Sequence, residues 1–224
     1  IQFYGYKTCG VWNSAEEIAA NPHFSDDAPG GIRIVDTNND GSLTPEDRVA
    51  LGTPYPDFTW GITNTFQIKD FDISFLIQGV QGITVLNGDV YYNETKKWNK
   101  KYTKNRWVSA EHPGDGKTPY QNVKTGHDLM LTDYPLQNAS YACLRNFTVG
   151  YTLPATAARK IKLSGVRFYV SGSNLLYIWG SGYKGINPES RMTSGNYSSA
   201  MISGYQRGGF PLTSTISAGF DINF

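Results

Sequence analysis

A run of acidic and amide side chains between residues 36 and 47 has the spacing of an EF-hand calcium loop. Asp36, Asn38 and Asp40 occupy positions 1, 3 and 5 of such a loop, where side-chain oxygens ligate the ion. Gly41 falls at position 6, where the chain must turn sharply. Hard oxygen ligands at this spacing favour Ca²⁺, with Mg²⁺ as the second choice. The pattern therefore predicts a structural cation site in a surface loop.

The second half of the same loop fits the calcium pattern less closely. Ser42 at position 7 would offer its backbone carbonyl, and Thr44 at position 9 would bind through a water molecule. Position 12 is Asp47 instead of the usual glutamate, and its shorter side chain leaves bidentate binding open. The alternative is an Asx-rich turn that binds no ion, because Asn and Asp side chains stabilise such turns unaided.

No set of residues typical of an enzyme accompanies this loop. The three histidines, His23, His112 and His127, lie far apart in predicted loops and lack the spacing of metal ligands. No nucleophile elbow, phosphate-binding loop or CxxC pair occurs. Cys9 and Cys143 could form one disulfide, but their spacing carries no signature, so two unpaired thiols are favoured. The sequence does not predict an enzyme.

The composition is typical of strands and polar loops. Of 224 residues, 24 are Gly and 15 are Tyr, aromatic residues make up 14%, and charged residues only 17%. The formal net charge of +1 predicts no general attraction to nucleic acid. Only residues 14–21 are typical of a helix, with Ser14 as N-cap and Glu17 three residues later. No run of about 18 apolar residues is present to form a transmembrane helix.

Period-two alternation of apolar and polar residues predicts five long β-strands. They are expected at about residues 58–69, 71–81, 139–153, 165–178 and 212–224. In each strand one face carries large apolar side chains and the other mostly Thr, Ser, Gly, Asn and Gln. The two residues between the first two strands indicate a tight hairpin turn. Residues 2–6 are predicted to end a sixth strand.

Arg145 interrupts the alternation of the third predicted strand, because the parity would put its charge on the apolar face. A β-bulge near Leu144 would resolve this conflict, and so would a position of Arg145 at the membrane interface. The residue types leave both alternatives open.

The two faces of the strands favour a transmembrane β-barrel over a soluble β-protein. A soluble strand turns a charged face to water, whereas here the polar face carries few Lys or Glu and suits a barrel lumen. Aromatic residues also gather at strand ends, where membrane barrels carry aromatic girdles. These residues are Tyr55, Phe58, Trp60, Tyr177, Trp179 and Phe224.

The connections between the predicted strands differ in length. The segments 69–70 and 154–164 are short, whereas 7–57, 82–138 and 179–211 are long. Outer-membrane barrels have short periplasmic turns and long extracellular loops, so the chain end is expected on the periplasmic side.

Two regions follow from this assignment. Residues 1–57 are predicted to be a strand end and an extracellular loop that contains the acidic loop, and residues 58–224 the barrel strands with two further extracellular loops. A barrel needs about eight strands or more, so these five require the remaining N-terminal barrel of the same protein.

Several motifs resemble, in order and spacing, the C-terminal part of SusC-type TonB-dependent outer-membrane transporters. The resemblance covers nearly the whole chain from Gly5 onward. The motifs are VDTNNDGSLTPEDRVALGTPYPDFTWGI, FDISFLIQGVQG, RNFTVGYTLP, VRFYVSGSNLLYI, GYKGINPE and the terminal FDINF.

This resemblance implies an all-β fold, a 22-stranded antiparallel barrel embedded in the lipid bilayer of a Gram-negative outer membrane. It also implies an N-terminal plug, a SusD-like surface lipoprotein as lid, and energy supplied by TonB through the missing N-terminal part. The implied activity is import of oligosaccharides or oligopeptides. A passive or non-transporting barrel is the first alternative. A secreted binding module with a dockerin-like calcium loop is the second, disfavoured because only one copy of the loop is present.

The last residues also resemble the signal that the barrel-assembly machinery recognises. That signal is a polar residue, a glycine and two alternate hydrophobic residues, here Ser217, Gly219, Ile222 and Phe224.

Substrate contacts are the least defined expectation. The segment 91–107 mixes aromatic and basic residues, so that Trp98 and Trp107 could stack on sugar rings. Tyr183, Asn187 and Arg191 are further candidates for contact with substrate. The favoured alternative is that the segment is a solvated loop that packs on the lid protein.

Overall fold

The computed structural model describes residues 2–90, 104–120, 129–180, 182–190, 204–207 and 209–224. The chain divides into two compact units. The first, which we call the sheet unit, consists of Pro56–Gly82, Ala139–Ser181 and Pro211–Phe224. The second, the loop unit, consists of Ile1–Tyr55, Ile83–Asn138 and Gly182–Phe210. Within the described ranges, no helix is long and apolar enough to cross a membrane.

The described residues are mostly strands, with few and short helices. In chain order the strands are β1 (Phe3–Gly5), β2 (Thr8–Val11), β3 (Ile32–Ile34), β4 (Val49–Gly52), β5 (Phe58–Ile68), β6 (Phe71–Gln81), β7 (Thr84–Asn87), β8 (Leu136–Asn138), β9 (Tyr141–Thr152), β10 (Gly165–Trp179), β11 (Tyr205–Gln206) and β12 (Thr215–Asn223). The α-helices are α1 (Ala15–Ala19) and α2 (Ala155–Lys160), and single 3₁₀ turns lie at Pro45–Asp47 and Leu129–Leu131.

Five of these strands form the sheet unit, in the order β12–β10–β9–β6–β5, and each is antiparallel to its neighbours. Their bounds lie close to those that the alternation predicts, except that the last strand begins at Thr215 instead of residue 212. The β5–β6 hairpin closes over two residues, and Lys69 adopts a φ of 54°, in the left-handed region typical of tight hairpin turns.

One face of the sheet carries large apolar side chains on every strand, and those on β5, β6, β10 and β12 include exposed ones. An aromatic row crosses four strands in direct register, from Phe71 through Tyr151 and Phe168 to Phe220. The ring centroids of Phe71 and Tyr151 are 4.8 Å apart. Further exposed residues of this face are Ile62, Phe66, Ile68, Val170, Ile216 and Ile222. An apolar surface of this extent is typical of a face that meets lipid or another protein.

The break in the alternation at Arg145 is a β-bulge. The pairing of β9 with β6 passes over Arg145 between Asn146 and Leu144. The pairing of β9 with β10 sets two residues, Asn174 and Leu175, opposite the same position. Of the two alternatives that the sequence leaves open, the bulge is therefore the one observed.

The loop unit contains short strands that the sequence pattern does not reveal. β2 pairs with β3, β7 pairs with β8, and β11 joins β7 in parallel. The core includes an apolar cluster of Tyr6, Ile32, Ile34 and Leu129. Ser14 caps α1 as predicted, because its Oγ accepts a hydrogen bond from the Glu17 backbone N–H at 3.2 Å.

Residues 2–6 do not belong to the large sheet. Their strand, β1, pairs with β4 inside the loop unit. That these residues end a sixth barrel strand stays a prediction, because period-two alternation is the same for a short loop strand and for the end of a barrel strand.

Candidate functional site

The acidic loop joins β3 to the 3₁₀ turn Pro45–Asp47 and reverses the chain within a few residues. Asn39 has a φ of 58° and Gly41 a φ of 85°, both in the left-handed region. A Cβ at Gly41 would meet no atom within 4 Å, so the backbone conformation, and not crowding, is what favours glycine there.

The side chains at loop positions 1, 3 and 5 turn inward toward the loop backbone. Asp36 Oδ2 accepts a hydrogen bond from the Gly41 N–H at 2.8 Å. Asn38 Oδ1 accepts from the Asp40 N–H at 3.0 Å, and Asp40 Oδ1 from the Ser42 N–H at 2.8 Å. Asp36 Oδ1 is buried and accepts no hydrogen bond within the described residues. A buried carboxylate oxygen that accepts no hydrogen bond is suited to ligate a cation, because burial without any partner costs free energy.

Asp47 has a different role from the other acidic residues. It is fully buried, and its Oδ1 and Oδ2 accept hydrogen bonds from the Thr37 N–H at 2.9 Å and the Thr44 N–H at 2.8 Å. Burial alone would raise the pKa of Asp47, but the N–H groups of Thr44, Thr37 and Asn38 hold it below its usual range. Asp47 thus joins the two ends of the loop.

The oxygen atoms of the loop are suited to ligate a hard cation at one end of the loop only. Asp36, Asn38 and Asp40 present oxygens at the expected positions, whereas both oxygens of Asp47 face backbone N–H groups. Asn38 Nδ2 also donates to Asp40 Oδ2 at 2.9 Å, so this contact would have to open around an ion. In the part of the chain that the structure describes, no group of three or more His, Cys, Asp or Glu side chains is arranged to hold a metal.

The polar face of the sheet carries an ion pair that spans several strands. Arg167 on β10 donates from Nε to Asp72 Oδ1 at 3.0 Å and from Nη2 to Asp72 Oδ2 at 2.6 Å. Arg167 Nη1 also lies 3.4 Å from Asp221 Oδ2 on β12. Gly150 on the intervening β9 makes this possible, because a Cβ there would collide with both partners.

A second cation lies on the polar face at the bulge. Arg145 Nη1 donates to Asn174 Oδ1 and to the Tyr177 hydroxyl, each at 2.8 Å. The Gln78 amide, with its oxygen toward Arg145, accepts from Nε at 3.2 Å and from Nη2 at 2.9 Å. The bulge therefore turns the charge that alternation would place on the apolar face toward polar partners.

Trp107 and Tyr183, two of the aromatic residues predicted to contact substrate, are largely buried. Trp107 is 9% exposed, and its indole N–H donates to Asn13 Oδ1 at 3.0 Å. Tyr183 is 7% exposed, and its hydroxyl donates to Gln206 Oε1 at 2.7 Å. These contacts hold the loop unit together, and a substrate role for either residue stays a prediction. Trp98, His127 and Arg191 lie outside the described residues.

The residues of the assembly-signal pattern lie at the edge of the sheet. Ser217, Gly219 and Ile222 are in β12, and Phe224 directly follows it. Gly219 faces Tyr169 across the β10–β12 pairing, and a Cβ on Gly219 would crowd the Tyr169 hydroxyl.

Cys9 is exposed in the loop unit, Cys143 is buried in the sheet unit, and no disulfide joins the two.

Comparison with known proteins supplies the family. No protein-family model matches the chain. The chain is 31% identical, over 99% of its length, to TonB-dependent receptor P26 of Formosa agariphila, and 30% identical over 99% to receptor P3 of the same organism. It is 27% identical, over 70% of its length, to TonB-dependent receptor SusC of Bacteroides thetaiotaomicron. It spans only 22%, 22% and 15% of the lengths of these relatives.

Solved structures agree on the fold. The whole chain superposes on 22% of a chain in the structure of the RagAB peptide transporter, with a TM-score of 0.71 at 19% identity. The closed-closed state of the RagAB peptide importer gives a TM-score of 0.68, also at 19% identity. The all-β class is confirmed, whereas the count of 22 strands stays a prediction. Sequence and fold together place the chain among the SusC-type TonB-dependent receptors of the outer membrane, as a part of one such protein.

Proposed function

We propose that the whole protein imports oligosaccharides or oligopeptides across the outer membrane, with energy from TonB. The observation that carries this proposal is the two-faced sheet. Its exposed apolar face with an aromatic row suits lipid, and its polar face with Arg145, Arg167 and Asp72 suits a hydrated lumen. No residue set on either face is typical of catalysis, and the relatives are named as receptors.

The proposal includes a SusD-like surface lipoprotein that closes the barrel from outside, an N-terminal plug, and a periplasmic end for β12. The support is the relationship to SusC and the likeness in fold to the RagAB peptide transporter. The loop unit is folded over short strands, and such a folded surface suits a stable protein contact better than an unstructured loop would.

Uptake by intact cells tests the proposal. Cells that lack the full-length protein are supplied with either the wild-type gene or none, and import of labelled oligosaccharides and oligopeptides is measured with and without TonB. Import that requires both the protein and TonB is expected. Import that persists without TonB would instead indicate the passive barrel.

We also propose that the acidic loop binds one Ca²⁺, with Mg²⁺ weaker, through Asp36, Asn38, Asp40 and the Ser42 carbonyl. The support is the buried Asp36 Oδ1 and the EF-hand spacing. The ion would hold the loop together, and Asp47 would serve mainly to join its ends.

Isothermal titration of the intact protein with CaCl₂ tests the cation site. Wild type is expected to release heat at one site that is lost in the double variant Asp36→Ala, Asp40→Ala. Glu46→Ala removes an exposed carboxylate of the same loop and serves as the matched control, because Glu46 is not at a ligand position. Equal heats for wild type and the double variant would refute the site.

A further inference from the structure

Two short turns lie at one end of the large sheet and together carry an excess of positive charge. They are residues 69–70, between β5 and β6, and residues 154–164, between β9 and β10. The Thr152 N–H at the end of β9 donates to the Asp70 carbonyl at 2.8 Å, which places the two turns side by side. The turns contain one carboxylate, Asp70, and four cationic side chains, a net charge of +3. The cations are Lys69, Arg159, Lys160 and Lys162.

The four cations of these turns are exposed and unpaired. Within the part of the chain that the structure describes, their side chains form neither a hydrogen bond nor an ion pair. Arg145 and Arg167 on the polar face are different, because polar or acidic partners hold both guanidinium groups. Cations that repel one another at one end of a sheet favour the binding of an anion there.

Two of the lysines adopt a backbone conformation that disfavours lysine. Lys69 has a φ of 54° and Lys162 a φ of 58°. The other two non-glycine residues with positive φ in the described ranges are Asn39 and Asn174. Asparagine tolerates this conformation because its short side chain can hydrogen-bond locally, whereas the long lysine side chain gains no such bond. Both lysines are therefore at positions where glycine or asparagine would be less strained.

The bonding at the end of α2 shows which residue type is usual at position 162. The Lys162 N–H donates to the Arg159 carbonyl at 3.0 Å, and the Leu163 N–H to the Ala158 carbonyl at 3.1 Å. These two bonds form a Schellman motif, in which the residue at the position of Lys162 is usually glycine. Backbone strain of this kind is typical of functional positions, and here it accompanies a charge.

The turns lie directly beyond the aromatic row of the apolar face. Phe71 of that row follows residue 70 immediately, and Tyr151 precedes Pro154 by three residues. In transmembrane barrels, aromatic girdles lie at the level of the lipid headgroups. The charged side chains of the turns are therefore at the height of the lipid phosphates.

The segment 154–164 covers the apolar side of the sheet, which is the side that meets lipid. Val166 belongs to the same face of β10 as Phe168 and Val170, but it is 6% exposed, whereas they are 51% and 52% exposed. α2 contacts β10, and Ala158 of this helix is fully buried. The exposed residues of the segment, which include Ile161, therefore lie toward the bilayer and not in the lumen.

We infer that the two turns bind the phosphate of an anionic glycerophospholipid. The inference rests on the proposed periplasmic end of β12, which places these turns at the leaflet that contains glycerophospholipids. The lysine and arginine side chains form charge-assisted hydrogen bonds with the phosphate oxygens. Ile161, between Lys160 and Lys162, enters the acyl-chain region beside the apolar face. The net charge of +3 favours a headgroup without an ammonium group of its own.

Native mass spectrometry of the full-length protein in detergent micelles tests this inference. The probes are dioleoylphosphatidylglycerol, which is anionic, and dioleoylphosphatidylcholine, which has the same acyl chains and a phosphate but no net charge. Phosphatidylglycerol is expected to bind with a Kd roughly tenfold lower, because each nearby lysine or arginine strengthens the attraction to an anionic lipid.

Substitutions at Lys162 separate the charge from the stability of the fold. Lys162→Gly removes the charge and relieves the backbone, so it should raise the thermal midpoint while it weakens phosphatidylglycerol binding roughly fivefold. Lys162→Gln should weaken binding equally without raising the midpoint, and Lys162→Arg should preserve binding. Lys69→Gly is expected to act as Lys162→Gly does. Lys104→Gln removes an exposed lysine of the loop unit and is the matched control, with binding as in wild type.

Lipids retained from the native membrane identify the leaflet. The full-length protein is extracted from outer membranes with a styrene–maleic acid copolymer, and the lipids that accompany it are quantified. The double variant Lys69→Gly, Lys162→Gly is expected to retain fewer anionic glycerophospholipids per protein than wild type and an unchanged amount of lipid A, the phosphorylated lipid of the other leaflet.

Three outcomes would overturn the inference. They are equal binding of the two probe lipids, phosphatidylglycerol binding that neither glycine variant weakens, and a loss of lipid A instead of glycerophospholipid from the double variant. Neither measurement needs TonB or a lid protein. Selective lipid binding without import would therefore contradict the proposed import alone, and import without selective lipid binding would contradict this inference alone.

Discussion

Asp72 and Arg167 form a two-point ion pair across an intervening strand, with N–O distances of 3.0 Å and 2.6 Å. Asp72 is on β6 and Arg167 on β10, and β9 runs between them with Gly150 beneath the contact. The pair therefore links two strands that share no backbone hydrogen bonds.

Removal of this pair should lower stability modestly. The two side chains are 31% and 32% exposed, so water screens the pair and its contribution is about 0.2–1 kcal/mol. Arg167→Met and Asp72→Asn are each expected to lower the thermal midpoint of the full-length protein in detergent. The double variant should lose less than the sum of the two, because the second change removes a charge already without its partner. Strict additivity would show that the two residues do not interact.

The left-handed backbone at Asn174 predicts an unusual order of stability among variants at this position. Asn174 has a φ of 55°, which is unfavourable for a residue with a Cβ by roughly 1–2 kcal/mol. Asn174→Ala and Asn174→Gly both remove one acceptor of Arg145, but only glycine relieves the backbone, so the Gly variant should be the more stable.

Ser173, which precedes Asn174 and has no positive φ, is the matched control. There the order should reverse, with Ala more stable than Gly, as is usual within a strand. Urea unfolding of the four variants measures both differences. The same order at both positions would contradict the bulge geometry.

Acid should destabilise the loop unit through Asp115. Burial alone would raise the pKa of Asp115, but hydrogen bonds from Thr118 and Lys117 and the charge of Lys184 hold it below its usual range. A carboxyl with a lowered folded pKa stabilises the fold above its ordinary pKa of about 3.9, and this stability is lost as the pH falls through the folded value.

Asp115→Asn should therefore lose less thermal stability than wild type as the pH falls from about 5 through the ordinary carboxyl pKa of about 3.9 and below, because it has no carboxylate to protonate. Asp26→Asn, at an exposed position, should follow the wild-type curve. Parallel curves for wild type and Asp115→Asn would show that Asp115 does not account for any of the acid sensitivity.

Phe224 should affect assembly more than stability. It is 94% exposed after the last strand, so it contributes almost nothing to packing within the described residues. Because it matches the assembly-signal pattern, Phe224→Ala is expected to lower the amount of folded protein in the outer membrane. Phe210→Ala removes an aromatic ring that is 89% exposed in the loop unit and should leave that amount unchanged. Immunoblots of unboiled membrane fractions compare the two.

The long strands could be predicted from the sequence because each repeats its two-residue alternation over nine or more positions, as in β5 and β12. The irregularity at Arg145 could also be predicted, because a charged residue out of phase with the alternation required either a β-bulge or a position at the membrane interface. The pattern could not tell which, because that depends on the register of two neighbouring strands.

The loop unit was less accessible to the same reasoning. Its strands have two to four residues, too few to show a period, and β11 pairs with β7 although Tyr205 and Leu86 are distant in sequence. Trp107 and Tyr183 are of the types that bind sugars, but distant partners, Asn13 and Gln206, take up their polar groups. Residue type alone does not reveal such partners.

The division of the chain into interleaved stretches has a kinetic consequence. Each unit draws on an early, a middle and a late part of the chain, and β11 pairs with β7 only after β9 and β10 have been synthesised. Contacts that join such distant segments are slow to form, because the intervening chain must first be ordered. The loop unit should therefore be the last part to gain protection from hydrogen exchange during refolding. The folding intermediate in which its strands are incompletely paired should be the species that most needs chaperones.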